Sequence, residues 1–305
     1  MSDRGPVRRF ITADVFTTEA FSGNPVAVVL DADGLTAEAM QAIAREFNYS
    51  ETTFVLPPVD PANTAKVRIF TPRTEVPFAG HPNIGTAVVL ARHAESTGRS
   101  PGDRLDFEEL AGLVRIRLLR DDATVIGAEL VAPHTLCVAD TVDVAAAAAC
   151  LSLPPAEIET ATHPPLVASI GLPFLIVAVK SRDALKRSKP SIGAHEQILP
   201  PLGVDAVYAY FVAANGEEIH ARTFAPLDNC LEDPATGSAT GAAIALITQR
   251  TGAPTEYRSW RVHQGTDMGR PSLIMGSVTK RRGEIEEVRI AGHAVLVSEG
   301  VISVR

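Results

Sequence analysis

Two short segments of this sequence place proton-transferring side chains beside glycines. His81-Pro82-Asn83-Ile84-Gly85-Thr86-Ala87 and Asp233-Pro234-Ala235-Thr236-Gly237-Ser238-Ala239 share the order x-Pro-x-x-Gly-[Thr/Ser]-Ala. The matching first positions hold an imidazole and a carboxylate, groups suited to general acid/base catalysis. Each segment leads into a run that is apolar on every side, residues 84–91 and 239–247. A helix of that kind must be buried all round. Its first turn leaves backbone N–H groups unpaired at the positive end of the helix dipole, a setting for an anion such as a carboxylate. Gly80, Gly85 and Gly237 permit close backbone approach, and Thr86, Thr236 and Ser238 supply hydroxyls. Asp233 is also a helix N-cap candidate. The third acid/base candidate is Glu51, which opens a run of Thr, Phe, Val and Leu where a carboxylate is out of place. Burial there would raise its pKa, as a proton shuttle requires.

The elements that must hold these residues are short. Strands are read at 9–16, 26–30, 50–56, 66–71 and 113–119, with turns such as Ser22-Gly23-Asn24-Pro25 between them. Thr36 reads as an N-cap, Met40, Ile43, Ala44 and Phe47 fall on one helical face, and Asn48 is a stop. Arg68-Ile69-Phe70-Thr71-Pro72 matches Arg222-Thr223-Phe224-Ala225-Pro226, in the same order relative to the two segments above. This predicts a duplicated α/β unit, one buried helix per half. About a twofold axis, the two helix starts would face one interdomain cleft, with His81 and Asp233 opposite one another.

Composition agrees. The chain has 22 Gly and 22 Pro among 305 residues, too many turn-formers for a helical bundle. Net charge is −8 with no basic stretch, which argues against nucleic acid and anionic membranes. The N-terminus lacks the apolar core of a signal peptide. Three cysteines are too few and too scattered for a disulfide or cysteine-metal framework, so a cytoplasmic chain is expected. Cys137 and Cys150 read as core residues. No histidine spacing suggests a metal site, and no G-x-G-x-x-G suggests a dinucleotide.

Asn48-Tyr49-Ser50-Glu51-Thr52-Thr53-Phe54-Val55, Pro77-Phe78-Ala79-Gly80-His81-Pro82 and Glu232-Asp233-Pro234-Ala235-Thr236-Gly237-Ser238-Ala239 resemble signature segments of the PhzF-like family of phenazine biosynthesis. So do Phe21-Ser22-Gly23-Asn24-Pro25, the stretch from Gln264-Gly265 to Pro271-Ser272, and Gly292-His293-Ala294-Val295. The resemblance implies the diaminopimelate-epimerase-like α+β fold: two similar domains, each a curved sheet or barrel around a central helix. The N-terminal domain is expected over 1–120 plus about 291–305, the C-terminal one over 121–290. It also implies a cofactor- and metal-independent isomerase acting on a small carboxylate, dihydro-hydroxyanthranilate-like or amino-acid-like, as a homodimer. By the same resemblance Glu51 is the proton shuttle, His81 and Asp233 assist, and Gly80, Gly237 and Ser238, with Thr236 beside them, bind substrate. Epimerising relatives use two cysteines at the helix starts, and neither start has one here. A lyase or epimerase outcome from the same site, and a non-catalytic binding protein keeping the fold, are the alternatives.

Overall fold

The computed structural model describes residues 7–228 and 230–304. Residues 1–6, which include the start of the segment read for a signal peptide, and residue 305 lie outside them. The chain forms two compact units, one ending at Val131 and resuming at Ala291, the other running from Ala132 to Ile290.

The first unit contains strands β1 (Val7–Val15), β2 (Asn24–Val29), β3 (Glu51–Leu56), β4 (Ala65–Phe70), β5 (Glu75–Val76), β6 (Arg104–Glu109), β7 (Gly112–Asp121) and β8 (Thr124–Val131). Helix α1 (Ala37–Phe47) follows β2, and α2 (Gly80–Ser96) follows β5. Around the unit the ladder runs β1, β2, β3, β4, β6, β7, β8, alternating antiparallel and parallel up to β6 and antiparallel from there. Residues 291–303 pair with β8 on one side and antiparallel with β1 on the other. The eight strands therefore close into a barrel.

Closure depends on two glycines. A Cβ at Gly127 would lie 2.3 Å from the Gly292 carbonyl oxygen, and one at Gly292 would lie 2.2 Å from the Phe16 ring. Helix α2 fills the barrel, with Ile84, Ala87, Val88 and Val89 fully enclosed, as an all-apolar helix requires. Helix α1 buries Met40, Ile43 and Ala44 and ends on Asn48 in the left-handed region (φ 52). The chain then enters β3 at Glu51. Asp121 and Asp122 form the β7–β8 turn (Asp122 φ 50) inside this unit. The unit boundary thus falls after Val131, beyond position 120, because β8 is needed to complete the ring.

The second unit begins with β9 (Cys137–Thr141), α3 (Val144–Cys150), β10 (Leu166–Ser169) and β11 (Pro173–Ala178). It continues with α4 (Arg182–Arg187), α5 (Ile192–Ile198), β12 (Val207–Val212), β13 (Glu218–Ala225) and β14 (Cys230–Asp233). Helix α6 (Gly237–Gln249), β15 (Glu256–Gln264), β16 (Ser272–Arg281) and the start of β17 (Glu284–Ser303) complete it. From β10 to β16 the ladder is antiparallel, parallel, antiparallel, parallel, antiparallel. That is the succession found from β1 to β7, with the short strand and the buried helix at the same place in the order. The duplication read from two short matches is thus a duplication of topology.

Helix α6 has only Ser238 and Gln249 outside its buried set. Cys150 packs in the second unit's core among Ala147, Leu151 and Val177. Cys137 differs from expectation: its neighbours in sequence are apolar, yet it sits on an exposed strand.

Candidate active site

In the first unit, two elements bring Glu51 and His81 together. Glu51 opens β3, paired with Val26 of β2, and its side chain is 18% exposed. His81 is the second residue of α2 and is buried. Its Nε2 lies 3.5 Å from Glu51 Oε2, while Nδ1 lies 3.4 Å from the Nδ2 of buried Asn24. Burial pushes the His81 pKa down to about 3, and the nearby Pro25 carbonyl only partly offsets it. At neutral pH the ring is uncharged, so the contact with Glu51 is a polar one between imidazole and carboxylate, not an ion pair. Gly80 begins the helix. Thr86 is spent: its hydroxyl bonds to Thr53 Oγ1 at 2.8 Å inside the barrel.

In the second unit, Asp233 ends β14 opposite Thr223 of β13. The N-cap of α6 is Thr236, not Asp233. Thr236 Oγ1 lies 2.5 Å from Asp233 Oδ2 and 2.9 Å from Thr223 Oγ1, and the shorter contact marks the carboxylate as the acceptor of its single proton. Gln264, at the end of β15, locks this arrangement. Its Nε2 donates to the Asp233 carbonyl at 2.8 Å, and its Oε1 accepts from the Thr236 N–H at 3.1 Å. Gly237 and Ser238 are the first two residues of α6. Asn24, Thr223 and Gln264 were not singled out as site residues by sequence reasoning. Asn24 and Gln264 do lie in the signature segments, and Thr223 in the repeat.

The capping pattern separates these two helices from most of the others. Helices α1, α3 and α4 have their first-turn N–H groups bonded by the side chains of Thr36, Asp143 and Ser181. Neither Ala79 nor Thr236 makes such a bond at α2 and α6. An uncapped start keeps its N–H groups for an incoming acceptor. Among the described residues no group of three or more His, Cys, Asp or Glu side chains is placed to hold a metal ion, and no helix is long and apolar enough to cross a membrane.

Glu109, at the end of β6, was not foreseen. Both of its carboxyl oxygens are buried, with the Asn83 side chain beside them. Burial pushes its pKa up to about 8, and the side-chain hydrogen bond with Asn83 offsets this only in part. Unfolded, the group titrates near the ordinary carboxyl value of 4.5. Its stabilising effect is full below that pH and fades as pH rises through 8. His81 acts oppositely, its contribution fading as pH falls from 6.5 towards 3. Between pH 6.5 and 8 Glu109 contributes a falling slope of up to about 1.4 kcal/mol per pH unit, opposed near pH 6.5 by the depressed pKa values of His81, His163, His195 and His220. Urea denaturation across that window should show the stability difference between wild type and the Glu109→Gln variant falling as pH rises, since the histidine contributions are common to both. Equal slopes would rule out a buried neutral Glu109.

A duplicated unit whose strands enclose a buried helix defines the epimerase-like class of fold. The chain belongs to the phenazine biosynthesis-like protein family, whose model matches residues 13–300. It is 40% identical over 304 residues to an uncharacterized isomerase from Mesorhizobium japonicum, covering 96% of this chain and 98% of the relative. It is 33% identical over 296 residues to the trans-2,3-dihydro-3-hydroxyanthranilate isomerase of Pseudomonas chlororaphis, covering 97% and 99%. Among solved structures, the Bacillus anthracis phenazine biosynthesis protein of the PhzF family matches with TM-score 0.84 at 25% identity, over 98% of this chain and all of that one. The relatives are named isomerases, and this chain is an enzyme of that kind.

Proposed function

We propose that this protein is an isomerase that moves a proton on a small carboxylate substrate, dihydro-hydroxyanthranilate-like or amino-acid-like, with no cofactor. The observation that supports this most is the partly exposed Glu51 carboxylate in contact with the neutral ring of His81, beside an uncapped helix start. Ionised Glu51 takes a proton from a substrate carbon and becomes a carboxylic acid, which at this partly exposed position exchanges with solvent; it then delivers a proton to a second carbon, so no net proton is gained or lost. His81, held by Asn24, orients the Glu51 carboxylate or a substrate polar group by hydrogen bonding. In the second unit Gln264 fixes Asp233 and Thr236; Asp233 is assigned an assisting acid/base role, and the amides of Gly237 and Ser238 donate hydrogen bonds to a carboxylate. In the first unit Gly80 offers an amide donor of the same kind at the start of α2.

Incubation with trans-2,3-dihydro-3-hydroxyanthranilate in deuterated water tests this. The expected product is an isomer carrying one deuterium at the newly protonated carbon. Loss of a fragment would instead indicate a lyase, and exchange with inversion at one carbon an epimerase. Saturable binding with neither turnover nor exchange would favour a non-catalytic binding protein. The same reading carries a cytoplasmic homodimer, which sedimentation of the purified chain tests.

A further inference from the structure

The sequence repeat contains an arginine and a phenylalanine that the proton transfer does not use. In the first unit Arg68 meets Glu75 as a fork, Nε to Oε1 and Nη2 to Oε2, both at 2.7 Å. In the second unit Arg222 meets Glu232 the same way, at 2.8 and 2.6 Å. Each guanidinium also lies over the ring two residues further on, 5.1 Å from the Phe70 centroid and 4.9 Å from that of Phe224. The glutamates fall outside the matched segments. Yet each stands five residues before the first residue of its buried helix, Glu75 before Gly80 and Glu232 before Gly237. The same device is built twice.

We propose that Arg68–Glu75 and Arg222–Glu232 are positioning pairs: each anchors the segment entering a buried helix and so fixes where that helix presents its first turn. The inference rests on reading those helix starts as parts of the substrate site. Most other helices are held at their starts by a side chain that occupies first-turn N–H groups. Helices α2 and α6 are not, and an anchor five residues upstream leaves their N–H groups for the substrate. A fork-to-fork pair suits this task, because two parallel hydrogen bonds fix orientation as well as distance. Stacking on the phenylalanine removes further freedom from the guanidinium. The pairs are well shielded, with side chains 21% and 22% exposed in the first unit and 10% and 13% in the second. Arg222 additionally donates through Nη1 to the carbonyls of Lys186 and Ser188, at 3.0 and 2.8 Å. The second pair therefore also holds the end of α4, and the first unit gives the cleaner test.

The experiment compares full-length wild type, Glu75→Gln, and Arg68→Lys, which keeps the charge but loses the fork. Amide hydrogen exchange and steady-state kinetics are both read. In either variant the amides of Asn83, Ile84 and Gly85, the first in α2 with a partner four residues back, should exchange about tenfold faster or more, with those of residues 88–91 unchanged. The value of kcat should fall about tenfold or more while KM moves less than about threefold, with Glu75→Asp recovering part of kcat. Unchanged exchange at the helix start, uniform acceleration along α2, or wild-type kcat in a folded variant would each overturn the proposal. If wild type turns over no substrate offered, the functional reading has failed, and local exchange alone decides the positioning claim. The variant Glu232→Gln should accelerate exchange at Thr240 and Gly241, the first α6 amides with a partner four residues back, and leave the first unit alone.

Discussion

Replacing Glu51 with glutamine should reduce turnover by about a thousandfold while leaving the fold intact. General acid/base groups contribute about 10²–10⁴ in rate. Glu51 is proposed to act in both half-reactions, so no second group is assigned to take its place. Glutamine has nearly the same volume, and at the opening residue of β3 it keeps the backbone pairing with Val26. The melting temperature should therefore move by no more than a few degrees. The decisive signal is isotopic: in deuterated water wild type should place deuterium in product, and recovered substrate from the variant should carry none. A variant that turned over at the wild-type rate would remove Glu51 from the mechanism. His81→Asn should be milder, because the ring is neutral and only its hydrogen-bonding role is lost.

Gly127→Ala should strongly destabilise the first unit. The added Cβ would meet the Gly292 backbone oxygen at 2.3 Å, where β8 and the closing strand meet. Backbone cannot rotate away as a side chain does, so the strands must separate locally or slip. Overpacking of this kind costs about 3 kcal/mol or more when the neighbour is rigid. For a chain of this size that corresponds to roughly 6–12 °C in melting temperature. Gly193→Ala is the control: it lies in α5 with nothing within 4 Å of the new methyl, and should be neutral or slightly stabilising. If both variants melt together, the glycine contact is not what closes the barrel.

Much of the fold was legible because its signals are local. A helix apolar on every side has to be enclosed, and two such helices behind matching Pro-x-x-Gly segments imply one unit written twice. The alternating patterns and turn residues marked β1 to β4 and β7 to within a few residues. Glu51 stood out for a reason equally local, a carboxylate at the head of an apolar strand. The misreadings had a common source. Asp233 has the chemistry of an N-cap, but the loop carries the helix start three residues further, to Thr236. Cys137 lies among apolar neighbours on a strand that remains exposed. Thr86 has a free-looking hydroxyl that a residue 33 positions earlier consumes.

The sequence by itself determined the class of fold, the duplication, the acid/base residue types and the family, since each rests on residue identity and short-range order. The tertiary structure decided what those residues do to one another. It closed the first barrel with residues 291–303, far from β1 in sequence, because only a ring leaves no strand edge unpaired. It set Glu51 against a histidine stripped of charge by burial, and it fastened Asp233 and Thr236 through Gln264. It also showed that the arginines of the repeat each grip a glutamate outside the match. Those facts depend on distances between segments remote in the chain and on exclusion of water, and neither quantity is written in local sequence.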